Sequence, residues 1–151
     1  MDVYKKIEEL GIVLPPAPPK GGVYSPAKEF GKNLIYISGC GPIINEPLAG
    51  RIGKDFTLEE GQQFAKQSTL NVLSVLQDAI GDLNKVKQVV KILVLVNSSN
   101  DFYDQPMVAN GSSTLLKEIF GDNGLPTRSA IGVNVLPGNI PVEIEGIFEL
   151  K

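Results

Sequence analysis

The run that opens at Thr57-Leu58-Glu59-Glu60 sets the terms for the rest of this chain. It forms a capping box: the threonine hydroxyl accepts from a free backbone N–H while the Glu60 carboxylate reaches back to the threonine N–H. Behind it Ala65, Thr69, Val72, Leu73, Leu76, Ala79 and Ile80 recur at helical spacing, and Gly81 ends the pattern. The spacing predicts a helix of about 23 residues, a rod of roughly 35 Å, long enough to cross the whole sheet of a small domain. A rod with one apolar stripe needs a layer to lie on. The next segment supplies a strand for that layer. Residues 86–96, VKQVVKILVLV, pass from alternation to a nearly continuous β-branched run, as expected of a central strand covered by the helix.

Further strands flank this pair. In residues 128–135 Arg128, Ala130, Gly132 and Asn134 share one face while Ser129, Ile131, Val133 and Val135 share the other. Residues 142–150 alternate likewise, with Val142, Ile144, Gly146, Phe148 and Leu150 opposite Glu143, Glu145, Ile147 and Glu149. With Pro137, Gly138 and Asn139 between them, the two read as an antiparallel hairpin. Pairing about that turn sets Arg128 opposite Glu149 and Glu143 opposite Asn134, so Arg128 and Glu143 stand roughly 20 Å apart in one chain. If both act on one ligand, they come from different subunits.

Residues 2–10 read as a short helix capped by Asp2 and stopped by Gly11. The prolines at 15, 16, 18 and 19 predict an extended arm, which either lies on the surface or walls a site. Residues 23–27 and 34–39 read as a second hairpin, and residues 43–56 as a loop. A second helix is expected over residues 104–120, stopped by Gly121. The order hairpin, helix, strand, helix, hairpin predicts an α+β domain over residues 1–151: a mixed sheet with two helices on one face, residues 1–22 forming an N-terminal helix and arm. Apolar residues left on the other sheet face predict an oligomer.

Composition removes several mechanisms. A chain 42% hydrophobic and 21% charged falls among globular proteins. It has no histidine, so a Ser-His-Asp triad, a Cys-His pair and the usual zinc or non-haem iron sites are out of reach. A net charge of -3 argues against a strong phosphate-binding surface and hence against nucleic acid as partner. One cysteine, Cys40, excludes an internal disulfide, and no apolar run approaches the roughly 18 residues of a membrane span. With an acidic Met1-Asp2 start unlike a signal peptide, these features predict a cytoplasmic protein.

From residue 22 to residue 150 the sequence resembles the RidA (YjgF/YER057c/UK114) family. The residues that carry this are GVYSPA around Tyr24, LIYISGCGPI around Ser38, AIGDL at 79–83, VKQVVKILVLV, and TRSAIGVNVLP followed by VEIEGI. The resemblance implies a chorismate-mutase-like fold, a homotrimer, clefts between subunits, and hydrolysis of reactive 2-imino or enamino acids to 2-keto acids and ammonia without a cofactor. It places the carboxylate-binding arginine at Arg128 and the acidic residue at Glu143. By the same resemblance the cleft tyrosine falls on Tyr24, the strand-end serine and glycine on Ser38 and Gly39, and an asparagine near the second helix on Asn110. Ala130 stands where a cysteine is frequent, and the proline arm and the loop at 43–56 are longer than the family's common pattern.

The chemistry is sound on its own terms. A guanidinium grips a carboxylate through two hydrogen bonds, and a protonated imine needs little beyond a positioned water. Two rival readings stand beside it, the first using the same arginine pocket. One is a carboxylate-binding or regulatory protein without turnover; the other, an endoribonuclease or translation inhibitor, fits the acidic, histidine-free composition less well. Arg128 as a salt-bridged edge residue, Glu143 as a solvated or paired carboxylate, and Ser38 as a hydroxyl bonded to nearby backbone are the plain structural alternatives.

Overall fold

A computed structural model describes residues 2–151; Met1, part of the expected N-terminal segment, lies outside them. Asp2 caps α1 (Val3–Glu9) through its carboxylate, which accepts from the N–H of Tyr4 and Lys5. An extended arm follows, whose Ile12, Leu14 and Ala17 pack against the core. Then come β1 (Ala27–Phe30), β2 (Leu34–Cys40), α2 (Leu58–Ile80), β3 (Val86–Asn97), α3 (Gln105–Phe120), β4 (Thr127–Val133) and β5 (Val142–Leu150). The capping box at Thr57 and Glu60 forms as expected, and α2 runs 23 residues to Gly81.

The five strands stand in the order β1-β2-β5-β3-β4. This overturns the C-terminal hairpin. β5 pairs antiparallel with β2 on one side and β3 on the other, while β4 pairs parallel with β3 at the edge. Alternation fixes which residues share a face but not which strand lies beside which. The deciding feature is β3: twelve residues, with Val89, Ile92, Val94 and Val96 almost fully buried, offer two unsatisfied edges and take a partner on each. The eight residues from 134 to 141 are also longer than the two to five typical of hairpins, and α3 gives β4 the crossover that parallel pairing requires.

The expected pairs Arg128–Glu149 and Glu143–Asn134 therefore do not form; Arg128 lies beside Ile92 and Glu143 beside Leu95. The 20 Å separation falls with the hairpin. Three residues along and two strands across put the two backbones roughly 14 Å apart. Their side chains leave opposite faces, because Arg128 shares its face with buried Ile92 while Glu143 alternates with buried Val142 and Ile144.

The first hairpin is also shifted. Pairing starts at Ala27, opposite Ile37, where the expected strand ended. Pro26 has no N–H to give a ladder, and its carbonyl only accepts from the Ser38 N–H. The core lies between the helices and the face carrying Ile35, Ile37, Ile92, Val94, Ile144 and Phe148. On α2 the expected stripe is buried except for Ala79, and a second stripe of Leu70, Asn71, Ser74 and Val75 is buried too. Two of that second stripe, Asn71 and Val75, share a cavity with the arm.

Candidate functional site

The residues singled out by sequence gather in two places. The first surrounds the end of β2. Between Ile37 and Cys40 the register against β5 shifts, a bulge that turns Ser38 and Gly39 out of the ladder. A Cβ on Gly39 would fall 2.9 Å from the carboxyl carbon of Glu143, so a larger residue there would make the glutamate side chain swing away. Burial raises the Glu143 carboxyl above the usual carboxylate range, and the neighbouring charge of Glu145 adds to the shift. Glu145 itself accepts a hydrogen bond from the Tyr36 hydroxyl, which that bond and burial hold above its ordinary value.

Cys40, just past the bulge, is pushed up to about 12, chiefly by burial and then by Glu143. Its thiol stays protonated at neutral pH and is no nucleophile. The Ser38 hydroxyl donates to the Ser25 carbonyl at 2.8 Å, the bond to nearby backbone anticipated for a strand-end serine. The Tyr24 hydroxyl accepts from the Gly21 N–H at 3.1 Å, which leaves its own hydrogen free to donate.

Tyr24, Ser38, Gly39 and Cys40 open into a cavity of about 730 Å³. Its other walls were not anticipated as a set: the arm residues 15–20, Ile43, Ile44, Pro47 and Leu48 of the following loop, Asn71 and Val75 of α2, and the turn at Pro137, Gly138 and Ile140. Asn71 ties the loop down by donating to the carbonyls of Gly41 and Ile43, at 2.8 and 3.1 Å. A polar residue inside the apolar pattern of α2 was a signal for this contact in the sequence.

The second place lies on the helix side of β4. Arg128, half-buried, donates through Nη1 to the Asn110 side-chain carbonyl at 2.8 Å and to the Ser113 hydroxyl at 3.1 Å. Arg128 and Asn110, singled out separately, thus stand together; Ser113 was missed. Both acceptors are neutral. The ion pairs among the described residues are Lys6–Glu9 and Lys87–Glu149, so the salt-bridged reading of Arg128 is set aside. Ala130 packs against the core and lines neither this place nor the cavity. Among the described residues no group of three or more His, Cys, Asp or Glu could hold a metal, and no helix is long and apolar enough to cross a membrane.

Comparison with known proteins supplies the rest. The family described as "YjgF/chorismate mutase-like, putative endoribonuclease" matches residues 5–146. Protein TCP17 of Trypanosoma cruzi is 39% identical over 152 residues, spanning 99% of this chain and 94% of that protein. The 2-iminobutanoate/2-iminopropanoate deaminase of Dermatophagoides farinae is 34% identical over 93% of this chain and 95% of its own length. Among solved structures, protein Atu1372 of Agrobacterium tumefaciens superposes with a TM-score of 0.89 at 34% identity, over 99% of this chain and 92% of that one. With a mixed five-stranded sheet backed by helices and a family match across nearly its whole length, this chain belongs to the YjgF/RidA family and has its chorismate-mutase-like fold.

Proposed function

We propose that the protein hydrolyses 2-imino acids to 2-keto acids and ammonia in a cleft that two copies of the chain build together. The observation that carries this is the state of Arg128: a half-buried guanidinium held in place by two neutral groups, with no carboxylate of its own chain paired to it. Such a group is oriented for an external carboxylate. The carboxylate of Glu143 leaves the other sheet face of the same chain, so one ligand meets both only if the second comes from a neighbour. The relative named as an imine deaminase supports the same chemistry.

In this reading Arg128 fixes the substrate carboxylate and Tyr24 donates to its polar end. Water adds to C2 of the protonated imine, and the proton it loses passes to the Glu143 carboxylate. The resulting carbinolamine then breaks its C–N bond. Glu143 returns the proton to the departing nitrogen and takes up the carbinolamine hydroxyl proton as the C=O forms, leaving ammonia and the keto acid; that last proton passes to water. A carboxyl raised by burial holds a proton more readily than an ordinary carboxylate and is better suited to both take and return one. Decay of 2-iminobutanoate with purified protein, with Arg128→Ala beside it, is the test. Acceleration by the native chain and a loss of roughly 100-fold or more in the variant are expected. Decay at the uncatalysed rate with both proteins would defeat the proposal.

The commitment of the Ser38 hydroxyl to Ser25 favours a second reading, in which the same guanidinium holds a carboxylate without turnover. Saturable binding of a 2-keto acid that needs Arg128, with no release of ammonia from imines, would establish it instead.

A further inference from the structure

The cavity beside Tyr24 is larger than a short imino acid needs. The seven non-hydrogen atoms of 2-iminobutanoate, even at the ~30 Å³ each that water occupies in the liquid, take only about 210 Å³, against about 730 Å³ available. What lines the remainder is mostly apolar. Pro15, Pro16, Pro18 and Pro19 present rings without N–H donors, facing Ile44 and Leu48 of the loop. The polar side chains nearby are already engaged: Asn71 on two carbonyls, Ser38 on Ser25, the Cys40 thiol on the Ser38 carbonyl. The free donor of Tyr24, with Ser38 and Gly39 beside it, marks one polar end, and the arm walls an apolar remainder.

The arm is also held in place. Leu14 and Ala17 anchor it to the core, while the Gly21 N–H and the Lys20 ammonium bind the Tyr24 hydroxyl and carbonyl at 3.1 and 3.3 Å. A wall of prolines pinned at both ends loses little freedom when a ligand settles on it, so the contact area is gained at low entropic cost.

We infer that the arm of residues 15–20 is a specificity wall, and that the site takes 2-imino acids with a bulky apolar side chain, branched or aromatic, laid along the prolines. This rests on the deaminase reading above and names its substrate class. Each added methylene buried in an apolar pocket is worth several-fold in kcat/KM.

The test uses the full chain with imines generated in situ from 2-aminobutanoate, leucine and phenylalanine. A kcat/KM at least about 30-fold higher for the leucine or phenylalanine imine than for 2-iminobutanoate is expected. Leu48→Trp and Ala17→Phe, which fill the apolar end from opposite walls, should each lower that ratio about tenfold or more, and the second variant covers the case in which the first does not fold. A small imine processed as well as the large ones, or a ratio unmoved in every folded variant, overturns the wall while leaving the deaminase reading intact. If no imine is processed, the deaminase reading fails, and calorimetric titration with two stable keto acids decides the wall alone. Tighter binding of 4-methyl-2-oxopentanoate than of 2-oxobutanoate supports it; equal or undetectable binding of both overturns it.

Discussion

Glu143 keeps its place because Gly39 gives up a side chain. The carboxylate fills the space a Cβ would take, half out of water and beside the charge of Glu145, and both conditions favour its protonated form. The sign of the consequence follows from linkage. A carboxyl whose folded pKa lies above its unfolded value binds more protons folded than unfolded, so stability falls as pH rises from the ordinary carboxylate range through the raised value. Glu143→Gln should remove that slope and raise the neutral-pH melting temperature, by roughly 2 °C for a chain of this size. Melting curves between pH 4 and 8 check it: a variant that melts lower than the native chain at pH 7 would mean that the charged form is stabilised, not strained. In activity the same shift places the acid limb of kcat/KM above the usual carboxylate range, and Glu143→Gln should abolish that limb along with most of the turnover.

Between α2 and α3 the backbones approach closely at Gly111, where an added Cβ would lie 2.8 Å from the carbonyl carbon of Gln62. Contacts fasten the crossing on both sides: Gln62 donates to the Met107 carbonyl at 2.8 Å and Thr69 to the Ser112 hydroxyl at 2.7 Å. Replacing a helical glycine by alanine ordinarily stabilises by ~1 kcal/mol. Here the methyl meets backbone that cannot swing away, so Gly111→Ala should destabilise by about 2 kcal/mol, a melting temperature lower by roughly 4–8 °C. A rise would mean that the helices separate freely.

Sequence alone was a good guide to such units and a poor one to their neighbours. The capping box, the stop at Gly81 and the β-branched run of β3 are local signals, and each formed where its residues said. Arg128, Asn110, Tyr24, Ser38 and Gly39 were each marked by motif, and the structure sorts them into two places. Strand adjacency was not legible, because Val142, Ile144 and Phe148 fit equally well beside β4 or β3 when only their alternation is seen. Whether the arm lies on the surface or walls a site was left open for a related reason: proline spacing fixes conformation, while what an extended segment lies against depends on contacts distant in sequence.

Taken as a whole, the molecule sends the candidate residues Arg128 and Glu143 from opposite faces of one sheet, and the unit that works should be an assembly. Mixing tests this without any structure of the complex. Arg128→Ala and Glu143→Gln chains, each inactive alone, should regain about a quarter of native activity when unfolded and refolded together at equal amounts, because one cleft in four then draws both intact halves from different copies. Activity that stays at background in assemblies shown to be mixed would place both residues in a single-chain site or in none.

β5 is last in chain order yet sits in the middle of the sheet, and it alone joins β2 to β3. During synthesis the β1–β2 hairpin and the β3-α3-β4 unit therefore emerge as separate pieces, each with an open edge that β5 has still to fill. The nascent chain carries two adhesive borders until residues 142–150 arrive, and its exposure to wrong partners is governed by how soon translation delivers that one strand.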